Sequence, residues 1–490
     1  MPVTSEQGVA VARLDIEPLA STLVSCLEGR FRDILVHEIR RTELALPTAP
    51  HSAEGLRIVE DPVFVDPGYE NELMSFSGRK FNKFSCPEQA MGVQLASQQW
   101  THFAVHSATG SGKSLIWMFP SFLWERKYTT IVISPYRALL QDMKDRCNEH
   151  MLTSEIWTSS NPQPGHTPVL LVLIDQVPHH LFMAHVRYLK STNKVARIIL
   201  DEPQALVASQ KYRPVMKQLT VLAEMGIQIG LLSATLPPGI VPPLMRMLGI
   251  RHLHVIRGCT ARQNLAYHRH LFKSSAQLRM AVVSLAKDLI LAMTSEERGF
   301  IICRTKADSV YFSEALEAEC YNSDVTPEEQ IRILQRFRST PKPSRTIACT
   351  TGLTQGVHMA HARWSIHAGL PYDMVDAIQS LGRIGRDQRL AHCHIMALHS
   401  QCVQVEDGVE EGDVLGVAAM RRTVSQHQLC VQEQLTGFND GRALSCGALN
   451  SVLCDRCEAL GMLRTQAGGP CSVSGFHPPL FLFVLKTPSR

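Results

Sequence analysis

Seven residues, Ala108–Thr109–Gly110–Ser111–Gly112–Lys113–Ser114, have the types and spacing needed to hold a phosphate chain. Glycines let consecutive backbone N–H groups turn towards an anion, and a helix starting at the lysine adds the positive end of its dipole. In such a loop Lys113 reaches the β- and γ-phosphates, and Ser114 gives its hydroxyl oxygen to Mg²⁺. Ser107 stands where the first glycine of the strict G-x-x-x-x-G-K-[ST] pattern belongs. A second group of residues fits the same chemistry: Asp201–Glu202–Pro203–Gln204 closes the apolar run Arg197–Leu200. Parallel sheets bring ligands to the carboxyl ends of their strands, so this acidic pair is expected to face the phosphate loop. Asp201 is then placed to hold Mg²⁺ and Glu202 to polarise an attacking water, as phosphoryl transfer requires. Ser233–Ala234–Thr235 ends another apolar run and offers two hydroxyls to the acidic segment. Further on, Gln379–Asp387 carries Arg383 and Arg386, which share one face of a helical turn. Guanidinium forks suit phosphate oxygens, and an arginine reaching across a cleft adds about 10³–10⁵ in rate.

These groups need a frame. The chain has 490 residues, enough for about three domains. Its 45% hydrophobic and 19% charged residues are ordinary for a protein with a sizeable core. A net charge of +4 neither demands nor excludes a nucleic-acid partner, because a basic groove can hide in a near-neutral total. Fourteen cysteines without a signal-like N-terminus point to a reducing, intracellular setting, where cysteines are core residues or metal ligands. No apolar run approaches the ~18 residues of a membrane helix, Leu480–Leu485 being the most apolar part of the tail, so no membrane partner is expected.

Apolar runs at Phe103–His106, Thr130–Ser134, Val169–Ile174, Arg197–Leu200 and Ile227–Ser233 alternate with helix-length stretches. A second such series follows, with a helix over Ala276–Thr294, strands at Phe300–Cys303, Thr346–Cys349 and Trp364–His367, and helices over Pro327–Phe337 and from Met374. Alternation of this kind predicts an α/β chain with two tandem parallel-sheet domains. The expected division is a helical N-terminal extension and linker at 1–80 (Leu19–Ile39 has helical spacing), domains at 81–255 and 256–405, a cysteine-rich subdomain at 406–460, and a tail at 461–490. The proline-rich stretch from Leu236 to about Gly258 reads as the domain junction.

Cys430, Cys446 and the pair Cys454–Asp455–Arg456–Cys457 contain one C-x₂-C half-knuckle. Four thiolates close a tetrahedral structural zinc site, with Cys471 as a substitute ligand. The histidines, His179–His180 included, have no ligand-like spacing and read as structural.

In order, Phe84–Gln89, Ala108–Ser114, Ser134–Asp142, Asp201–Gln204, Ser233–Thr235, Ile302–Thr305, Thr350–Gly356 and Gln379–Arg386 resemble the motif series of superfamily 2 helicases, and in particular the RecQ-like DNA helicase family. Arg262–Leu265 and Gly369–Pro371 add to the likeness, which runs from about Phe84 to Cys457. The resemblance implies two RecA-like domains with ATP between them, Mg²⁺, and a four-cysteine zinc subdomain. It implies that Gln89 reads the adenine edge and that Arg383 and Arg386 sense the γ-phosphate. Ser134, Pro135, Arg137, Thr350 and Thr351 would lie along a nucleic-acid strand, while Ser233, Thr235 and Tyr212 would couple that strand to hydrolysis. The implied partner is single-stranded or partial-duplex DNA, with 3′→5′ movement, in nuclear DNA repair and recombination. Alternatives are an RNA helicase, since RNA and DNA are told apart by contacts to the 2′-OH, and a nucleic-acid-binding core without turnover.

Several residues depart from the family pattern. Pro203–Gln204 replaces alanine and histidine, Ala205–Pro214 keeps Tyr212–Arg213–Pro214 but no tryptophan or phenylalanine, and His358 replaces an acidic residue. With only about thirty residues after Cys457, too few for a domain of roughly fifty, these departures predict duplex opening that is weak beside ATP hydrolysis.

Overall fold

Short runs rich in Val, Ile and Leu, buried on both faces, pair side by side into two sheets in which every strand pairing is parallel. The computed structural model describes residues 55–461 apart from 99, 125–126, 209–212, 339–344, 351–352, 354–360 and 404–412. The first sheet contains β1 (Arg57–Val59), β2 (Phe103–His106), β3 (Thr129–Ser134), β4 (Ser154–Ile156), β5 (Val169–Leu173), β6 (Val195–Asp201), β7 (Gln228–Ser233) and β8 (His252–Arg257). Their spatial order is β1-β8-β2-β7-β6-β3-β5-β4. The second contains β9 (Leu265–Phe272), β10 (Arg298–Cys303), β11 (Glu319–Tyr321), β12 (Thr346–Thr350), β13 (Ala362–Ala368) and β14 (Ala391–Leu398), in the order β11-β12-β10-β13-β14-β9.

Each sheet carries helices on both faces. On the first, Leu73 and Phe76, from the helix Tyr69–Phe76, share a core with Val93, Trp117 and Phe119. The other face packs against the helices His180–Ser191, Arg213–Glu224 and Val241–Leu248. On the second sheet, one face meets the helix Ser275–Ala292 and the other meets Met374–Leu381, Val417–Ser425 and Val431–Asn439. Two doubly wound RecA-like domains are therefore present, as the alternation of strands and helices predicts. Among the described residues no helix is long and apolar enough to cross a membrane.

The structure departs from the expected division at two places. Part of the stretch read as extension and linker belongs to the first sheet, because β1 pairs with β8 and the helix Tyr69–Phe76 fills its core. The segment read as a junction forms the helix Val241–Leu248 and then β8, which lies between β1 and β2. The four prolines of Leu236–Pro243 fall outside regular helix or in its first turn, where a missing N–H costs nothing. Leu19–Ile39, Cys471 and Leu480–Leu485 lie outside the described residues.

Candidate nucleotide site and cysteine cluster

The phosphate loop follows β2 and leads into the helix Leu115–Leu123, for which Ser114 is the cap residue. Gly110 and Gly112 have φ of +85° and +77°, a region in which a Cβ is strained. Ser107, the residue in place of glycine, turns into the loop, its Oγ lying 2.8 Å from Ser111 Oγ. Lys113 Nζ donates to the carbonyls of Ser107 and Ala108 at 3.0 and 3.1 Å. Burial lowers the Lys113 pKa, while the charges of Glu202 and Asp201 act the other way. Gln89 is buried and braces the loop, donating to the Gly112 carbonyl at 2.8 Å while its Oε1 accepts from the Ser85 amide.

The acidic pair ends β6 and faces the loop. Burial, with the neighbouring charge of Glu202, pushes the Asp201 carboxyl up to about 7. Glu202 has φ +52°, a backbone conformation uncommon for a residue with a Cβ. One of its oxygens accepts from Gln204 Nε2 at 2.7 Å and from Ser233 Oγ at 2.8 Å. Thr235 joins this network through its backbone N–H, which donates to Ser233 Oγ. Ser233 also closes the base of the loop, its carbonyl accepting from the Ser107 amide.

From the second sheet, Gln379–Arg386 comes up to this cluster, and Gly382 lies close to Thr109 of the phosphate loop. The Glu202 charge acts on both Arg383 and Arg386. Arg386 is pushed down to about 9 by burial and by the nearby Arg383, Arg262 and Arg146. Arg383 Nε is buried without a hydrogen-bond partner among the described residues. An unpartnered guanidinium donor, a lysine folded onto its own loop and an acidic pair together fit a nucleotide triphosphate with Mg²⁺, held by Ser114 and Asp201.

Four further residues shape the site, of which Arg146 and Asn439 carry no signal in the sequence. Arg146, in the helix Arg137–Glu149, donates to Ser114 Oγ at 3.2 Å and pairs with Asp142. Arg262 donates to the carbonyls of Ile384 and Gly385, and Asn264 Nδ2 to those of Gly385 and Arg389 at 2.7 Å, so Arg262–Leu265 shapes the arginine turn. Asn439 reaches the Ala234 carbonyl. Among the expected strand-facing residues, Ser134 at the end of β3 and Pro135 just after it are buried, whereas Arg137 is exposed and Thr350 is half-buried at the end of β12. Thr351, Tyr212 and His358 lie outside the described residues.

Cys430, Cys446, Cys454 and Cys457 are all buried, and their sulfurs lie within 4.8 Å of one another. Cys430 Sγ is 3.6 Å from Cys446 Sγ and 3.9 Å from Cys454 Sγ. Zn–S bonds of about 2.3 Å in a tetrahedron place sulfurs about 3.8 Å apart, so the cluster fits zinc. Arg269 anchors it to β9, pairing with Asp455 at 2.8 Å and donating to the carbonyls of Thr423, Gln426 and His427.

Comparison with known proteins agrees with this geometry. Residues 86–241 match the DEAD/DEAH box helicase family and residues 281–388 match the helicase conserved C-terminal domain. Mss116p with its NTE and C-tail deleted, bound to ssRNA and AMP-PNP, superposes with a TM-score of 0.56 at 14% identity, over 70% of this chain and 78% of that one. Fold and site thus define a superfamily 2 helicase core. Among curated relatives, the ATP-dependent DNA helicase Q-like 5 of Arabidopsis thaliana is 25% identical over 331 residues, and the RecQ-like DNA helicase blm-1 of Caenorhabditis elegans is 24% identical over 342. These matches cover 62% and 64% of this chain, which spans only 35% and 33% of the relatives' own lengths. The chain is similar to the RecQ-like superfamily 2 helicases.

Proposed function

We propose that the chain is an ATP-dependent DNA helicase or translocase that moves 3′→5′ on single-stranded or partial-duplex DNA. The observation that carries the proposal is the meeting of Glu202, from the first sheet, with Arg383 and Arg386, from the second, beside Lys113. Hydrolysis needs charge compensation at the departing phosphate and a water held in line, and these four residues supply both. Ser114 and Asp201 would hold Mg²⁺, which would supply charge neutralisation at the phosphates. Lys113 exchanges its loop carbonyls for phosphate oxygens, Gln89 turns from the loop to the adenine edge, and Glu202 orients the water while Gln204 and Ser233 hold its carboxylate. Arg383 and Arg386 complete the site only while the two sheets are close, so loss of the γ-phosphate releases them and opens the cleft. Arg137 and Thr350, at the carboxyl ends of β3 and β12, contact the backbone of a strand crossing both domains. Cys430, Cys446, Cys454 and Cys457 would hold one zinc ion, which would cross-link the C-terminal subdomain. The likeness to this family supports reading the work as part of nuclear DNA repair and recombination.

The test is steady-state ATPase activity with Mg²⁺ and single-stranded DNA, single-stranded RNA or no polymer. Stimulation by DNA is expected, with turnover abolished in Lys113→Ala and bound ATP trapped in Glu202→Gln. Wild-type rates in either variant would sink the assignment, and stronger stimulation by RNA would make the chain an RNA helicase.

A further inference from the structure

The helix Val431–Asn439 packs with the helices of the second sheet, yet its C-terminal end reaches into the first domain. Asn439 Nδ2 donates to the Ala234 carbonyl at 3.0 Å and to Thr260 Oγ1 at 2.8 Å. Asp440 in turn accepts from both the amide and the hydroxyl of Thr260, the amide bond being 3.0 Å long. Ala234 is the middle of Ser233–Ala234–Thr235, whose serine holds Glu202. Thr260 lies in the connection between the two sheets. On its other side Asp440 faces His106, the residue before the phosphate loop, at 3.8 Å.

This contact is polar where an apolar one would be cheaper. Asn439 is 1% exposed, and its Oδ1 has no partner among the described residues. Burying an unpaired acceptor is unfavourable, and packing alone gives no reason to accept it. What the polar groups add is direction: a carbonyl, a hydroxyl and a carboxylate are fixed in one arrangement that an apolar contact would let slide.

We infer that Asn439, Asp440 and Thr260 form a latch through which the cysteine-rich subdomain positions Ser233–Thr235, and through it Glu202. They are positioning residues, because none touches the reacting atoms. The inference rests on the ATPase reading above and adds a route to it. The subdomain travels with the second sheet, so opening of the cleft pulls on Ala234 and disturbs the serine that orients the Glu202 carboxylate. Hydrolysis is then linked to the spacing of the sheets by two paths, the arginines directly and the latch through Ser233.

The test compares the full chain with Thr260→Val, which removes the hydroxyl at nearly constant shape, Asn439→Ala, and the conservative Thr260→Ser. Thr260→Val and Asn439→Ala are expected to lower DNA-stimulated kcat about tenfold, the loss of one hydrogen bond in a charged network. The KM for ATP and the zinc content should stay within about twofold, and Thr260→Ser should match the wild type. Hydrogen exchange at residues 233–236 should be about tenfold faster in Thr260→Val. Unchanged stimulation in both variants overturns the latch, as does equal loss in Thr260→Ser. A wild-type chain without ATPase activity sinks the earlier reading instead; faster exchange in Thr260→Val would then still support the latch contact, and unchanged exchange would overturn it.

Discussion

Gln204 departs from the RecQ-like motif pattern beside the acidic pair, and it offers a sharp test. It is 1% exposed, and its Nε2 donates to Glu202 Oε2 at 2.7 Å, sharing that oxygen with Ser233 Oγ at 2.8 Å. Replacing it with leucine removes one of the two donors that aim the carboxylate. A hydrogen bond to a charged group is worth about 1.5–3 kcal/mol, so kcat should fall roughly 10- to 100-fold. Gln204 does not touch the phosphate loop, so ATP affinity should change by less than about twofold, the pattern of an interaction made for the transition state. Stability should barely move, because Gln204 Oε1 is a buried acceptor without a partner among the described residues and leucine removes it. Gln204→His restores a donor and should recover most of the activity. The assay is DNA-stimulated ATPase beside binding of a fluorescent nucleotide and thermal unfolding. A kcat within twofold of wild type in Gln204→Leu, or a loss of binding equal to the loss of kcat, would refute the argument.

Further outcomes follow from the C-terminal subdomain and a buried histidine. Freshly purified protein should hold about one zinc per chain, and the Cys454→Ser, Cys457→Ser double variant should lose it together with protection of residues 417–459 from proteolysis; metal analysis decides this. Arg269→Met strips Asp455 of its buried guanidinium partner and takes a donor from three carbonyls, which should cost about 3–5 kcal/mol in denaturant unfolding, and an unchanged midpoint would contradict it. His367 is buried beside Ser380, and burial pushes its imidazole down to about 4. Its neutral form stabilises the fold above the unfolded value near 6.5, and that stability is lost as pH falls towards 4. The stability advantage of wild type over His367→Gln should therefore shrink by about 2 kcal/mol between pH 7.5 and 5.0, at about 1.4 kcal/mol per unit below 6.5. A constant gap in urea unfolding would overturn this.

The parts of the site that sequence reveals are those where chemistry dictates type and spacing together. Gly110, Gly112 and Lys113 cannot be exchanged or moved, and Asp201–Glu202 announces itself at the end of an apolar run. Strands such as Val169–Leu173 are legible because burial on both faces leaves a plain aliphatic run. By contrast β9 (LAYHRHLF) and β14 (AHCHIMAL) alternate apolar residues with histidine and arginine, which hides their place beside each other in the second sheet. The histidines of the two strands face one another, His268 Nε2 lying 3.2 Å from His392 Nδ1, a pairing no single-strand pattern contains. β1 is too short for periodicity to register. Arg146 and Asn439 belong to no spacing rule, since what brings them to the site is tertiary packing. Ser134 sits in a recognisable motif, yet its side chain points inward, because a motif fixes position along the chain and not exposure.

The pairing of β1 with β8 bears on how the core tolerates proteolysis or engineering. Cut at residue 80, the chain would lose its outermost strand and the side chains of Leu73 and Phe76, both almost fully enclosed. The β8 backbone would then present open donors and acceptors along the flank of an otherwise finished sheet, next to a greasy hollow above Phe119. Such an edge recruits strands from other molecules. A fragment trimmed to the motif-bearing region should therefore be sticky, and one begun at Leu56 should stay in solution.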